Sequence, residues 1–182
     1  MAEGNFDEAK KRVEARVTKG DYLKVEDAAK KYLGELIDST RGLIEIVNDE
    51  RLVNMLTADN YIEDGPEFTK TKAFITEAKN KINESKEKTK DKFTDENMMS
   101  HIEQNIDSYY KDLYKELMGE ADYTAIENSL NEISNILDSS ERVIDFLVKN
   151  KDKWTIESNT IIFTNDELIS EYNSLLANMS GG

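Results

Sequence analysis

Apolar residues recur along this chain at spacings of three and four, the period of a helix with one buried face. Phe6, Ala9, Val13 and Val17 mark a first helix over about 5–18. Gly20-Asp21 interrupts it, and Asp21 suits an N-cap, where a short acidic side chain accepts from the free amides of the first turn. Tyr22, Val25, Ala29, Leu33, Leu36, Leu43, Ile44 and Val47 predict a second helix over about 21–48. Gly34 and Gly42 lie inside it and imply close packing, or a bend near residues 39–42. Leu52, Val53 and Leu56 predict a short helix over 50–57, and residues 58–66 read as a loop ending in Asp64-Gly65-Pro66.

Pro66 suits the first turn of a helix over about 67–92. Its stripe is Phe68, Phe74, Ile75, Ala78 and Ile82. The apolar signal stops after Ile82, so residues 83–92 are expected to project into solvent or to pack weakly. Thr94 is an N-cap candidate for a helix over 95–118, with stripe Met98, Ile102, Ile106, Tyr109, Leu113 and Leu117, and with Gly119 as its C′ residue. The helix over 122–150 has the strongest pattern. Ile126, Leu130, Ile133, Leu137, Ser140, Ile144 and Leu147 alternate spacings of four and three, a heptad seam that needs a partner.

The period then changes. Trp154 to Glu157 and Thr160 to Phe163 are β-rich and flank the polar pair Ser158-Asn159, a hairpin signal over about 153–163. Because an isolated hairpin is marginal in water, Trp154, Ile156, Ile161 and Phe163 should pack on the helices. Asn165 caps a closing helix over 166–177 with Leu168, Ile169, Tyr172, Leu175 and Leu176 inward, and 180–182 read as a frayed tail. The expected fold is mainly α: one domain over 1–182, an elongated antiparallel helical bundle with one small C-terminal β-hairpin and a closing helix.

Composition narrows the function classes. The net charge of −14 repels phosphate backbones and disfavours nucleic acid. Residues 66–93 nevertheless hold eight Lys and five acids, against six basic and eighteen acidic residues over 94–182. With no Cys there is neither a disulfide nor a thiolate site. No apolar run approaches the roughly 20 residues that span a bilayer, and no signal peptide is visible in the polar stretch Met1 to Phe6.

Candidate chemistry is sparse. His101 is the one histidine, too few for the paired Glu-x-x-His of a di-iron bundle, and it reads as a helix-surface residue near Met98 and Ile102. No Gly-x-Ser-x-Gly elbow and no glycine-rich phosphate loop is present. The acids Glu116, Glu120 and Asp122, and Asp59, Glu63 and Asp64, lack EF-hand spacing and read as solvated. Tyr109 is expected in the core. Tyr110 and Tyr114, four apart on another face, are candidates for an interaction surface. So are Lys86, Lys88, Lys90 and Lys92, although Glu84, Glu87 and Asp91 interrupt them. No catalytic residue, cofactor or metal is expected, and the chain reads as a non-enzyme.

One pattern is specific. Trp154-x-Ile156, Ile161-Ile162-Phe163, an acidic helix start and Glu171-Tyr172-Asn173-x-Leu175-Leu176 together resemble the end of a family of bacterial putative lipoproteins of unknown function. The match covers roughly 150–177. The resemblance implies an extracytoplasmic helical domain held at the membrane only through its N-terminus. The anchoring cysteine would then lie upstream of Met1 and have been removed. Expected partners are a protein or a component of the cell envelope, with the chain a monomer or weak homo-oligomer. The alternative, from the seam at 126–147, is a cytoplasmic coiled-coil adaptor or oligomerisation protein.

Overall fold

A computed structural model describes residues 8, 9, 11, 12 and 17–179, and of residues 42 and 43 the backbone alone. The helix expected over 5–18 falls largely outside these residues, as does the tail at 180–182. The described chain is mainly α-helical, with one two-stranded antiparallel sheet near its C-terminus and a final helix. In chain order come α1 (Asp21–Val47), α2 (Glu50–Asn54), α3 (Ala58–Asp64), α4 (Thr69–Lys92), α5 (Asp95–Ser100), α6 (Ser108–Met118) and α7 (Thr124–Lys149). A 3₁₀ turn (Lys151–Lys153) leads to β1 (Trp154–Glu157), β2 (Thr160–Phe163) and α8 (Asp166–Ala177). Residue contacts group the chain into two compact units, residues 1–44 with 84–127 and residues 45–83 with 128–182.

In the first unit, Val25, Ala28, Tyr32 and Leu36 of α1 pack with Met98, Ile102, Ile106 and Tyr114. The buried stripe of α1 is therefore centred on Ala28 and Tyr32, one residue from the expected Ala29 and Leu33. Tyr32 is 1% exposed, while Val47, expected inward, is 46% exposed. Gly20 has φ of 66°, a left-handed conformation that glycine adopts without penalty just before the helix.

The expected helix over 95–118 is two helices with a break at 101–107. The Met98 carbonyl accepts from the His101 amide at 3.3 Å and from the buried Tyr114 hydroxyl at 2.8 Å. Asp107 then caps α6, accepting from the Tyr109 amide at 2.9 Å. Ile102 and Ile106 are both buried, so their spacing of four mimicked a helix across a turn. Gly119 closes α6 with right-handed backbone, not as a left-handed C′ residue.

Residues 83–92 also depart from expectation. Thr89 is fully buried and reaches the Ser39 carbonyl at 3.4 Å, while Lys92 pairs with Glu35. A hydroxyl and a long polar stem continue the stripe where apolar residues stop.

In the second unit, residues 58–64 form a helix instead of a loop, with Thr57 as N-cap. Only Tyr61 of that helix is buried, too little to show a period. Pro66 precedes α4 by three residues, and the cap is instead Asp64, whose carboxylate accepts from the amides of Lys70 at 3.1 Å and Thr71 at 2.7 Å. The hairpin pairs Trp154 with Phe163, and Ser158 and Asn159 have φ of 49° and 64°, as a type I′ turn requires.

Aromatic rings hold this unit together. Phe68 stacks on Trp154 with centroids 6.0 Å apart, and Tyr61 meets Phe68 edge-on at 5.5 Å. Phe163 lies 5.2 Å from Tyr172 and 5.9 Å from Phe146. Trp154 Nε1 donates to the Leu147 carbonyl at 2.9 Å, which satisfies the one polar atom of the ring. At Gly65 a Cβ would stand 2.4 Å from the Tyr61 carbonyl and 3.0 Å from the Trp154 ring, so only glycine fits. From α7, Leu130, Leu137, Ser140, Ile144 and Leu147 are buried as the heptad pattern predicts, with Val143 beside them.

Candidate functional site

The break before α6 decides which tyrosines reach the surface. Capping at Asp107 restarts the helical phase, so the inward face of α6 carries Tyr110, Tyr114 and Met118. Tyr114 is 0% exposed, and burial pushes its hydroxyl up to about 12. It is a core residue and cannot belong to an interaction surface. Tyr109 is 57% exposed and is not the core residue expected. Both assignments changed for one reason, the new phase of α6.

Tyr110 is half-buried, and two exposed rings lean on it. Tyr22 meets it edge-on with centroids 5.1 Å apart, and Tyr109 does so at 5.2 Å. The Tyr22 and Tyr109 hydroxyls lie 3.4 Å apart. The hydrogen bond between these two hydroxyls, above all, raises the pKa of Tyr22, a phenol that is neutral at physiological pH in any case. The apolar period places Tyr22 on the core stripe of α1, yet it is 45% exposed. The signal that could have located the trio is shared: Tyr22 and Tyr109 each sit within two residues of an aspartate at a helix start, where the side chain lies on the rim of the core.

The lysines of α4 do not form one surface. Lys92 is engaged by Glu35, Lys88 pairs with Glu84 at 3.3 Å, and Lys86 is half-buried, with its carbonyl accepting from Tyr123 at 3.2 Å. Lys90 is exposed. Earlier in the helix, Lys79 is held between Asp138 at 2.6 Å and Glu141 at 2.5 Å.

The first unit also holds a polar cluster. Glu35 accepts from Lys92 on Oε1, and from Asn97 at 3.1 Å and the His101 ring at 2.8 Å on Oε2. Lys92 is the largest influence and, with Asn97 and His101, holds the Glu35 carboxyl down at about 2 against the cost of its partial burial. His101, expected on a helix surface, caps α5 and packs against the Tyr32 ring at 5.6 Å. Its contacts tie α1 to the break before α6, a structural role.

The second unit carries an open cleft of about 420 Å³, with Arg51, Met55, Asn60, Lys70, Thr71 and Phe74 among its walls. Arg51 lies over the Phe74 ring at 4.4 Å and is clamped by Asp49 at 2.7 Å. Asn60 donates to the Met55 carbonyl at 2.8 Å and to the Thr71 hydroxyl at 3.0 Å. These walls spend much of their polarity on one another. Of the two acidic groups in the sequence, Asp59 and Glu63 line this cleft, Asp64 caps α4 and Asp122 caps α7. Among the described residues no three His, Cys, Asp or Glu side chains are placed to hold a metal, and no helix is long and apolar enough to cross a membrane.

Neither a curated protein nor a solved structure matches this chain. A family described as "Protein of unknown function (DUF3053)" matches residues 21–181, from the first residue of α1 past the end of α8. By that match across nearly its whole length, the chain belongs to this family of unknown function.

Proposed function

We propose that the chain is a non-enzymatic binding or interaction module that works outside the cytoplasmic membrane, tethered there by an N-terminal lipid anchor or leader. The observation that carries the reading is the trio Tyr22, Tyr109 and Tyr110. Two large rings stand about half exposed, held edge-on by a third that the core anchors. Tyrosine concentrates at the centres of protein interfaces because its rigid ring buries much area at small entropic cost, with a hydroxyl to pair at the rim. The engagement of His101 by Glu35 and Tyr32 supports the non-enzymatic part. The location rests on the C-terminal resemblance around Trp154, Phe163 and Tyr172.

The coiled-coil adaptor reading gains less support. Leu130, Leu137, Ile144 and Leu147 are each 0% exposed within the single chain, so the seam leaves little apolar surface for a second copy.

The test compares partner retention by the wild-type chain and by the double variant Tyr22→Ala/Tyr109→Ala in the native cell envelope. Loss of the partner at unchanged thermal stability supports the interaction reading, and undiminished retention contradicts it. Fractionation of the native gene product tests the location: recovery in the cytosol removes the tether.

A further inference from the structure

Charge on the α6 side of the tyrosine trio is one-sided. Residues 94–127 hold nine acids and two lysines. Two cations beside the trio in the chain are already engaged, Lys24 with Asp21 at 3.3 Å and Glu103 at 3.4 Å, and Lys111 with the Gln104 carbonyl, while Lys19, three residues before Tyr22, is exposed. Asp112 and Glu116 follow Tyr109 by three and seven residues, on the same face of α6. Both are exposed, and neither has an ion pair among the described residues. Asp107, at the mouth of the trio, accepts from one backbone amide and has no counter-ion among the described residues.

Neutral phenol rings bordered by unpaired carboxylates select one chemistry. An anionic segment would meet Asp107, Asp112 and Glu116 without compensation. A purely apolar one would strip water from those acids for no return. A cation gains twice, from the carboxylates and from the negative face of the rings, which attracts ammonium and guanidinium groups. Building on the interaction reading above, we infer that the segment seated on Tyr22, Tyr109 and Tyr110 is a lysine- or arginine-bearing stretch of a protein partner.

The inference separates ring recognition from simple attraction to an acidic protein. The probe is an acetylated, amidated decapeptide of alternating lysine and serine, with a glutamate-serine counterpart as control, titrated while the tyrosine ring resonances are followed by NMR. The lysine peptide should move the resonances of Tyr22, Tyr109 and Tyr110, and the glutamate peptide should not. Tyr22→Leu and Tyr109→Leu keep bulk and charge but remove the ring quadrupole. Each should weaken binding about threefold, as an exposed cation–ring contact implies, and the paired change Asp112→Asn/Glu116→Gln should weaken it at least as much. Equal binding to the leucine variants would overturn the inference, leaving net charge alone as the cause. A response to choline with none to the lysine peptide would also overturn it, in favour of a quaternary ammonium ligand. If the lysine peptide fails but Tyr22→Ala/Tyr109→Ala still loses the envelope partner, this inference falls and the interaction module stands.

Discussion

His101 Nε2 lies 2.8 Å from Glu35 Oε2, joining the residue that ends α5 to the middle of α1. Lys92 and Asn97 reach the same carboxylate, so one acid secures both the end of α4 and the start of the break before α6. This gives the first unit a specific acid sensitivity. Glu35 is held down at about 2, below the value of about 4.3 for an unperturbed glutamate. A carboxyl depressed on folding contributes stability above the unfolded value and loses it as pH falls through the folded one. Glu35→Gln should therefore cost about 2 kcal/mol at neutral pH, the scale of hydrogen bonds to a charged group. The gap to the wild type should close between about pH 4.5 and 2. Urea unfolding at several pH values measures it, and a gap independent of pH would show that the charge is not the cause.

The buried hydroxyls of Tyr61 and Tyr172 lie 3.0 Å apart in the second unit. Burial, the dominant influence on each, pushes both phenols above their ordinary value. Either single Tyr→Phe change leaves the other hydroxyl without its partner and should cost about 1–2 kcal/mol. The double change removes both polar atoms, so it should cost less than the sum by about 1 kcal/mol. A double-mutant cycle followed by Trp154 fluorescence tests this, and strict additivity would show that the pair does not act as one.

Two neighbouring residues of α7 test where its buried face lies. Leu137 is fully buried and Ile136 is 42% exposed. Leu137→Ala should cost about 2–5 kcal/mol through the cavity it opens. Ile136→Ala should stay within about 1 kcal/mol. Comparable losses in a thermal melt would place the seam on the wrong face.

What could be read from the sequence depended on how each element announces itself. The α7 seam and the hairpin were legible because apolar period and turn chemistry agreed, down to Ser158-Asn159 at positive φ. The closing helix was legible from its Asn165 cap, which accepts from the Leu168 amide at 3.0 Å. The helix at 58–64 was not, because Tyr61 is its only buried residue. The break at 101–107 was hidden by Ile102 and Ile106, whose spacing fits a helix as well as a turn. That one hidden break inverted the roles of Tyr109 and Tyr114, so the candidate surface was half right in residue type and wrong in phase. Glu35 and His101 lie 66 positions apart, and no local pattern could pair them.

A contact surface on Tyr22, Tyr109 and Tyr110 brings its partner within reach of a photo-crosslinker placed there. Placing the photo-crosslinking residue p-benzoylphenylalanine at position 109, or at Val53, which is 75% exposed in the other unit, tests it directly. Irradiation in the native cells should give one discrete adduct from position 109, joined to a lysine- or arginine-bearing segment, and none from position 53. No adduct from position 109, or the same adduct from both positions, would rule out the tyrosine trio as the contact surface.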